Sequence, residues 1–346
     1  MAKVYVGMSG GVDSSLTAAL LKEEGHDVTG VYMKNWTQDL PGMKCPWADD
    51  LADAKRVAVQ LGIDFKVFDF ENEYKHKVVD YMIEEYKLGR TPNPDIMCNQ
   101  EVKFKLFLEA ALEDGADMIA TGHYAQTENG ILKRAVDDNK DQTYFLYRVT
   151  GEALKKTFFP LGKFTKPEVR EMAKARGLFT AGKKDSQGIC FVGKIGIREF
   201  LSQYVEKRSG EVIDKQTGKV LGTHDGAIFY TLGQRHGLDV GGGLPYYVVG
   251  KDMDKNEVYV TTDLNDKTLW KQDIQLSSVH WINKKPEDGT YQIRIRHRAP
   301  LETAHLTNSE NDSILRLNDE QRAIAAGQSV VIYDGTTVLG GGIIAG

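Results

Sequence analysis

Short β-rich runs alternate with amphipathic stretches through the first third of the chain. Val4 to Met8, Asp27 to Met33, Ile63 to Phe68 and Met118 to Thr121 are rich in the β-branched, aromatic and other apolar residues that favour strands. Between them, Ser14 to Glu24, Trp47 to Leu61, Tyr74 to Leu88 and Val102 to Asp114 carry helical periodicity; in the last, Phe104, Phe107, Leu108, Ala111 and Leu112 recur on one face. Strand–helix alternation builds βαβ units, whose parallel sheet is covered by helices. An α/β N-terminal domain over residues 1–205 is therefore expected.

Beyond Tyr204 the helical period fades and short β-like runs follow, punctuated by Gly, Asp and Asn. Residues 206–268 hold strand candidates at Glu211 to Ile213, Tyr246 to Gly250 and Val258 to Thr261, the pattern of a small central β module. Residues 269–346 alternate at Gln292 to Arg296, Ile314 to Leu317 and Val330 to Tyr333, which suits a closing β-sandwich or barrel.

Charged residues make up 27% and hydrophobic ones 41% of the 346 positions, an ordinary globular balance with no run of membrane-spanning length. Met1-Ala2-Lys3 leads straight into Val4-Tyr5-Val6, so a cytoplasmic address without a membrane partner is expected. The net charge of −5 confines any nucleic-acid site to a local basic patch. Three scattered cysteines, Cys45, Cys98 and Cys190, make neither a disulfide scaffold nor a Cys-x-x-Cys zinc pair. His224, His236 and His280 lack metal-ligand spacing and read as turn or surface residues.

Chemistry first shows in Ser9-Gly10-Gly11-Val12-Asp13-Ser14-Ser15, between a predicted strand and a predicted helix. Gly10 and Gly11 allow close backbone approach, the helix start offers unpaired N–H groups, and three serines add hydroxyls, which together suit a phosphate. No Gly-Lys-Ser/Thr ending follows, so this is not a Walker A loop. Asp13 would repel phosphate unless a cation intervenes, and it is read as a Mg²⁺ ligand.

A second segment, Gly89 to Asn99, holds Pro92 and Pro94, which stiffen a loop, and Asn99, a candidate cap for the next helix. Cys98 would then sit at a helix start near Lys103 and Lys105, where a thiolate is favoured, with Asp95 close enough to move a proton. Taken alone, Cys98 reads equally as a packed structural residue. A third segment, Lys183-Lys184-Asp185-Ser186-Gln187-Gly188-Ile189-Cys190, leads a basic stretch into a cysteine; the lysines suit a thiolate, a persulfide or RNA phosphate. Cys45, in Lys44-Cys45-Pro46, matches neither segment and reads as packing. Alternation would put Arg294, Arg296 and Arg298 on one strand face, as a phosphate-contacting surface requires.

The glycine loop resembles that of the PP-loop ATP pyrophosphatases. With Thr121-Gly122-His123-Tyr124, Lys140-Asp141-Gln142-Thr143-Tyr144, Tyr230-Thr231-Leu232-Gly233-Gln234-Arg235 and Gly327-Gln328, the whole chain resembles the tRNA-specific 2-thiouridylases of that superfamily. The resemblance implies a PP-loop domain, a small β module and a C-terminal β-barrel. It implies ATP-dependent sulfur transfer to the 2-position of a tRNA wobble uridine, activated by adenylylation, with Mg²⁺ and with sulfur supplied by a cysteine desulfurase or sulfur-relay protein. Cys190 would carry the persulfide, Cys98 would be its nucleophilic partner and Asp95 the acid/base. Gly7, Met8, Ser9, Gly10, Gly11, Val12, Asp13, Ser14, Met33 and Gly122 would line the ATP site. Asn93, Pro94 and Asp95 would meet the target base, with His123, Lys140, Asp141, Gln142, Arg296, His297 and Gln328 on the tRNA. Two positions depart from the commonest family pattern: Ala326 stands where Pro is usual, and His297 where Tyr is common.

Two rival readings share the loop. A PP-loop ligase would adenylylate a small molecule and would need no pair of thiols. A non-catalytic adenine-nucleotide sensor would bind ATP without releasing pyrophosphate.

Overall fold

The computed structural model describes residues 1–39, 45–184, 196–238, 240–241, 243–309 and 312–346. Four expected strands join one parallel sheet: β1 (Lys3–Gly7), β2 (Asp27–Lys34), β3 (Asp64–Asp69) and β4 (Met118–Ala120). Their order is β3-β2-β1-β4, with Thr157–Phe158 added beyond β4. Val4, Tyr5 and Val6 in β1 are wholly buried, as a strand covered on both faces must be. From β1 the chain builds outward through β2 and β3, then returns to place β4 on the other side of β1. The order thus reverses at β1, where loops leaving the strand ends diverge and open a crevice. Helix α1 (Val12–Glu23) starts in that crevice, and α2 (Trp47–Leu61) follows β2.

The expected helices at 74–88 and 102–114 are parts of longer helical runs. Residues 71–87 pass from α (Glu71–Tyr74) through a π segment (Lys75–Asp80) to α (Tyr81–Lys87). Residues 94–113 do the same, with Cys98–Leu106 as the π segment.

In the second sheet Tyr247–Asp252, Glu257–Thr261, Gly210–Asp214 and Val220–His224 pair in that order. The third decides between sandwich and barrel. Trp270–Trp281 pairs on one side with Ser313–Arg322 and on the other with Thr337–Ile344, so the sheet closes on itself. Ile274, Leu276, Ile293, Leu306, Leu315, Val330 and Ile332 are buried in one apolar cluster within it. A hairpin of the N-terminal domain, Gln126–Glu128 and Ile131–Lys133, adds to this sheet through Leu132 opposite Val338. Backbone hydrogen bonding therefore couples the first domain to the barrel. Among the described residues no helix is long and apolar enough to cross a membrane.

Candidate active site

Gly10 holds φ at +70°, and a Cβ there would lie 2.5 Å from the Asp50 carbonyl oxygen, so only glycine fits. Gly11, extended, precedes α1, and its carbonyl accepts from the hydroxyls of Ser14 (3.2 Å) and Ser15 (2.7 Å). The Ser9 amide donates to Ser14 Oγ at 3.2 Å, curling the loop over the helix start. Gly122, after β4, completes the crevice: a Cβ there would meet the Ser14 nitrogen at 2.8 Å. A Cβ on Gly7 would meet Met33 Cε at 2.9 Å, which brings the Met33 side chain beside the loop. The expected ATP-site residues therefore gather at one strand-end crevice, a fit for a polyphosphate on the N-terminus of α1.

Asp13 does not stand as expected. Lys166 Nζ lies 2.7 Å and 2.8 Å from its two carboxylate oxygens, and the Tyr124 hydroxyl donates to Oδ1 at 3.0 Å. An ammonium thus supplies the cation that motivated Mg²⁺, and with both oxygens engaged Asp13 does not fit as a metal ligand here. Lys166 is 8% exposed and opens the helix Lys166–Ala175, whose Thr165–Glu168 capping box sets its position. Sequence reasoning missed it, although a signal existed. Lysine at the first position of a helix opposes the dipole and implies a nearby carboxylate.

In the second segment the cap is Asn93, not Asn99. The Asn93 Oδ1 accepts from the amides of Asp95 (3.1 Å) and Ile96 (3.3 Å), and Pro94 takes the first helical position. Cys98 consequently lies inside the helical run, fully buried, and the expected thiolate support from a helix start is withdrawn. Lys105 is 3.5 Å from Glu101, while the Lys103 charge acts on His123. Asn99 Nδ2 donates to the Phe145 carbonyl at 3.1 Å. Cys190 lies outside the described residues. Lys183 binds Asp50 (2.9 Å) and Asp53 (2.8 Å) on α2. Cys45 is buried, its thiol donating to the Trp36 carbonyl at 3.6 Å, and burial pushes that thiol up.

The expected RNA residues divide. Thr91 N donates to the Ala326 carbonyl at 2.8 Å, and a Cβ on Gly327 would strike Thr91 N at 2.7 Å, so the barrel's tail with Gln328 seats on the loop leading to Asn93, Pro94 and Asp95. The contact uses a carbonyl, which Ala326 supplies as well as proline would. Arg296 is exposed, and the His297 ring packs on Phe145 at 4.4 Å between centroids. Burial, then Arg298 and Arg294, push His297 down to about 4. Lys140 is half-buried, and Gln142 Oε1 accepts from the Tyr124 amide at 2.9 Å.

Two of the expected RNA residues are buried. His123 is 8% exposed, its Nδ1 2.8 Å from Thr121 Oγ1 and its ring between Phe104 and Phe159; burial and the Lys103 charge hold it well below the usual imidazole range. Asp141 is sealed, accepting from Arg294 Nη1 at 2.9 Å and from Thr143 Oγ1 at 2.9 Å. The shared arginine face fails because the strand stops at Arg294 and the chain turns at Arg298 with φ +62°. His224, expected near the surface, is buried and accepts from the Gly226 amide at 2.9 Å. Among the described residues, no group of His, Cys, Asp and Glu is placed to hold a metal ion.

Comparison with known proteins adds identity to this geometry. Residues 2–194 match the family described as tRNA methyl transferase HUP domain, 198–262 the tRNA methyl transferase PRC-barrel domain and 271–344 the aminomethyltransferase beta-barrel domain. The tRNA-specific 2-thiouridylase MnmA of Listeria monocytogenes is 48% identical over 351 residues, covering 99% of this chain and 94% of the relative. That of Halalkalibacterium halodurans is 48% identical over 350 residues with the same coverage. Among solved structures, a 4-thiouridine synthetase–RNA complex with bound ATP matches at 20% identity and a TM-score of 0.38, over 59% of this chain and 50% of that one. With close similarity along nearly its whole length to proteins of one kind, this chain belongs to the tRNA-specific 2-thiouridylase family.

Proposed function

We propose that this protein replaces the 2-oxygen of a tRNA wobble uridine with sulfur at the expense of ATP. The observation that carries this reading is the seat of the barrel tail on the cysteine loop: Gly327 and Ala326 close against Thr91, beside Asn93, Pro94, Asp95 and Cys98. A barrel that binds RNA would thereby deliver a base to the segment that holds a cysteine and a carboxylate. ATP supplies the AMP group that turns the C2 oxygen into a leaving group. The Ser9–Ser15 loop and α1 hold its phosphates, and Asp95 moves the proton.

Cys190 carries the incoming sulfur as a persulfide, handed over by a desulfurase or relay protein. Its terminal sulfur bonds to C2 as the C2–O bond breaks and AMP leaves with the oxygen. Cys98 then attacks the Cys190 sulfur, forming the Cys98–Cys190 disulfide as the bond from Cys190 to the transferred sulfur breaks and leaves that sulfur on C2; in the alternative route Cys98 makes this disulfide first and expels hydrosulfide, which attacks C2. A thiol reductant reopens the disulfide in either case. Cys98 itself is fully buried. The working units are residues 1–205, 206–268 and 269–346: the second sheet lies within Gly210–Thr261, and the third lies within Trp270–Ile344 apart from the hairpin that the first unit adds to it.

The deciding experiment measures pyrophosphate release with and without tRNA. Release that requires tRNA is expected. Release with a small amine acceptor and no RNA would move the protein to the ligases, and ATP binding without release would make it a sensor.

A further inference from the structure

Lys166 lies 153 positions from Asp13 in the chain, yet its ammonium sits on both oxygens of that carboxylate. It is the first residue of its own helix, its backbone amide donates to Asp137 Oδ2 at 2.9 Å, and its Nζ is 5.6 Å from the centre of the Tyr124 ring. Tyr124 in turn donates to Asp13, and Gln142 holds the Tyr124 amide. The starts of two helices, Val12–Glu23 and Lys166–Ala175, thus meet at one ion pair. A helix start favours an anion and disfavours a cation, so Lys166 is stable there only through the carboxylate. Asp13 remains 32% exposed at its side chain, so the pair is only partly covered.

We propose that Lys166 is a further residue of the nucleotide site: the loop contains no lysine, and Lys166 supplies that charge from a distant helix, sharing its ammonium between Asp13 and the polyphosphate. This rests on reading Ser9–Ser15 as the ATP loop. The Asp13 carboxylate fixes the position of the buried amine. When phosphate arrives, the same ammonium faces two anions, and Tyr124 retains its bond to Asp13. Lys166 is then more than a strut, because its charge acts on the ligand itself.

Equilibrium binding of ATP, inorganic pyrophosphate and adenosine to the full chain tests this without any turnover. Lys166→Met should weaken ATP and pyrophosphate by about ten- to a hundred-fold, the worth of one charge-assisted contact, and leave adenosine within about two-fold. Its ATP affinity should also depend less steeply on salt. Lys166→Met leaves the Asp13 carboxylate without its ammonium, so the double variant Asp13→Asn with Lys166→Met removes that defect; thermal unfolding checks that it folds. Weak ATP binding in the double variant supports direct phosphate contact. Parent-like ATP binding there would overturn the proposal, because Lys166 would then serve only to neutralise Asp13. Should the parent chain bind adenosine but neither ATP nor pyrophosphate, the ATP reading of the loop falls first and the proposal with it.

Discussion

The crevice at the end of β1 and the seam between the first domain and the barrel both rest on an aspartate held by a distant cation, and they use it in opposite ways. Asp13 keeps 32% of its side chain exposed beside Lys166, whereas Asp141 is wholly covered beneath Arg294, itself 7% exposed. A partly open pair can trade partners with an arriving ligand. A sealed pair cannot, because removing either member strands a charge in a poorly solvating interior. Access, rather than residue type, therefore separates a binding residue from a structural one in this molecule.

Breaking the sealed pair should have the largest effect. Asp141→Ala is expected to cost about 3–5 kcal/mol of stability in urea unfolding, and adding Arg294→Met should return part of it. An unchanged midpoint for Asp141→Ala would mean that the seam is open to water. Next comes the crevice loop. Gly10→Val should abolish ATP-dependent pyrophosphate release, because a side chain at φ +70° would strike the Asp50 backbone at 2.5 Å and push α2 from the loop. Turnover at the parent rate would refute the fit described for this loop.

The cysteines sharpen the contrast between buried and reactive. With sulfur-labelled cysteine and a desulfurase, Cys98→Ser should load sulfur on the protein yet fail to pass it to tRNA through repeated turnovers, and Cys190→Ser should accept none. Cys45→Ser should match the parent, since its thiol only packs and donates to Trp36. Sustained tRNA thiolation by Cys98→Ser would require direct persulfide attack with external reduction.

Smaller effects are expected at the barrel surface. Arg296→Ala should weaken tRNA binding by about three- to ten-fold and lower the salt slope by about one. An intact slope would make Arg296 a brace for the Ala323 carbonyl, to which it donates. The smallest concerns acid. His297 titrates near 4 in the fold, below the ordinary value of 6.5, so the unfolded chain takes up the proton first. Its contribution is complete above about pH 6.5 and is lost as pH falls toward 4. His297→Gln should flatten the fall in melting temperature across that window; an unaltered profile would assign the acid sensitivity elsewhere.

Local chemistry made much of this protein legible before any fold was known. The spacing of apolar residues marked β1 to β4 and both early helices, because a strand or helix face must be apolar wherever it is covered. The glycine loop was readable for the same reason: its two glycines, its serines and its helix start lie within seven consecutive residues, Ser9 to Ser15. Short-range patterns end where long-range contacts begin. Nothing in the order of residues announces which carboxylate Lys166 meets, 153 positions away. Likewise, Asp141 and His123 looked like polar residues ready to touch RNA, and packing covered them. The sequence by itself determined the main elements of the first domain, the glycine loop and the family, since each depends on neighbours in the chain. Only the tertiary structure decided which charged groups face a ligand and which are sealed, because solvent access and the partner of a charge are properties of the packed whole.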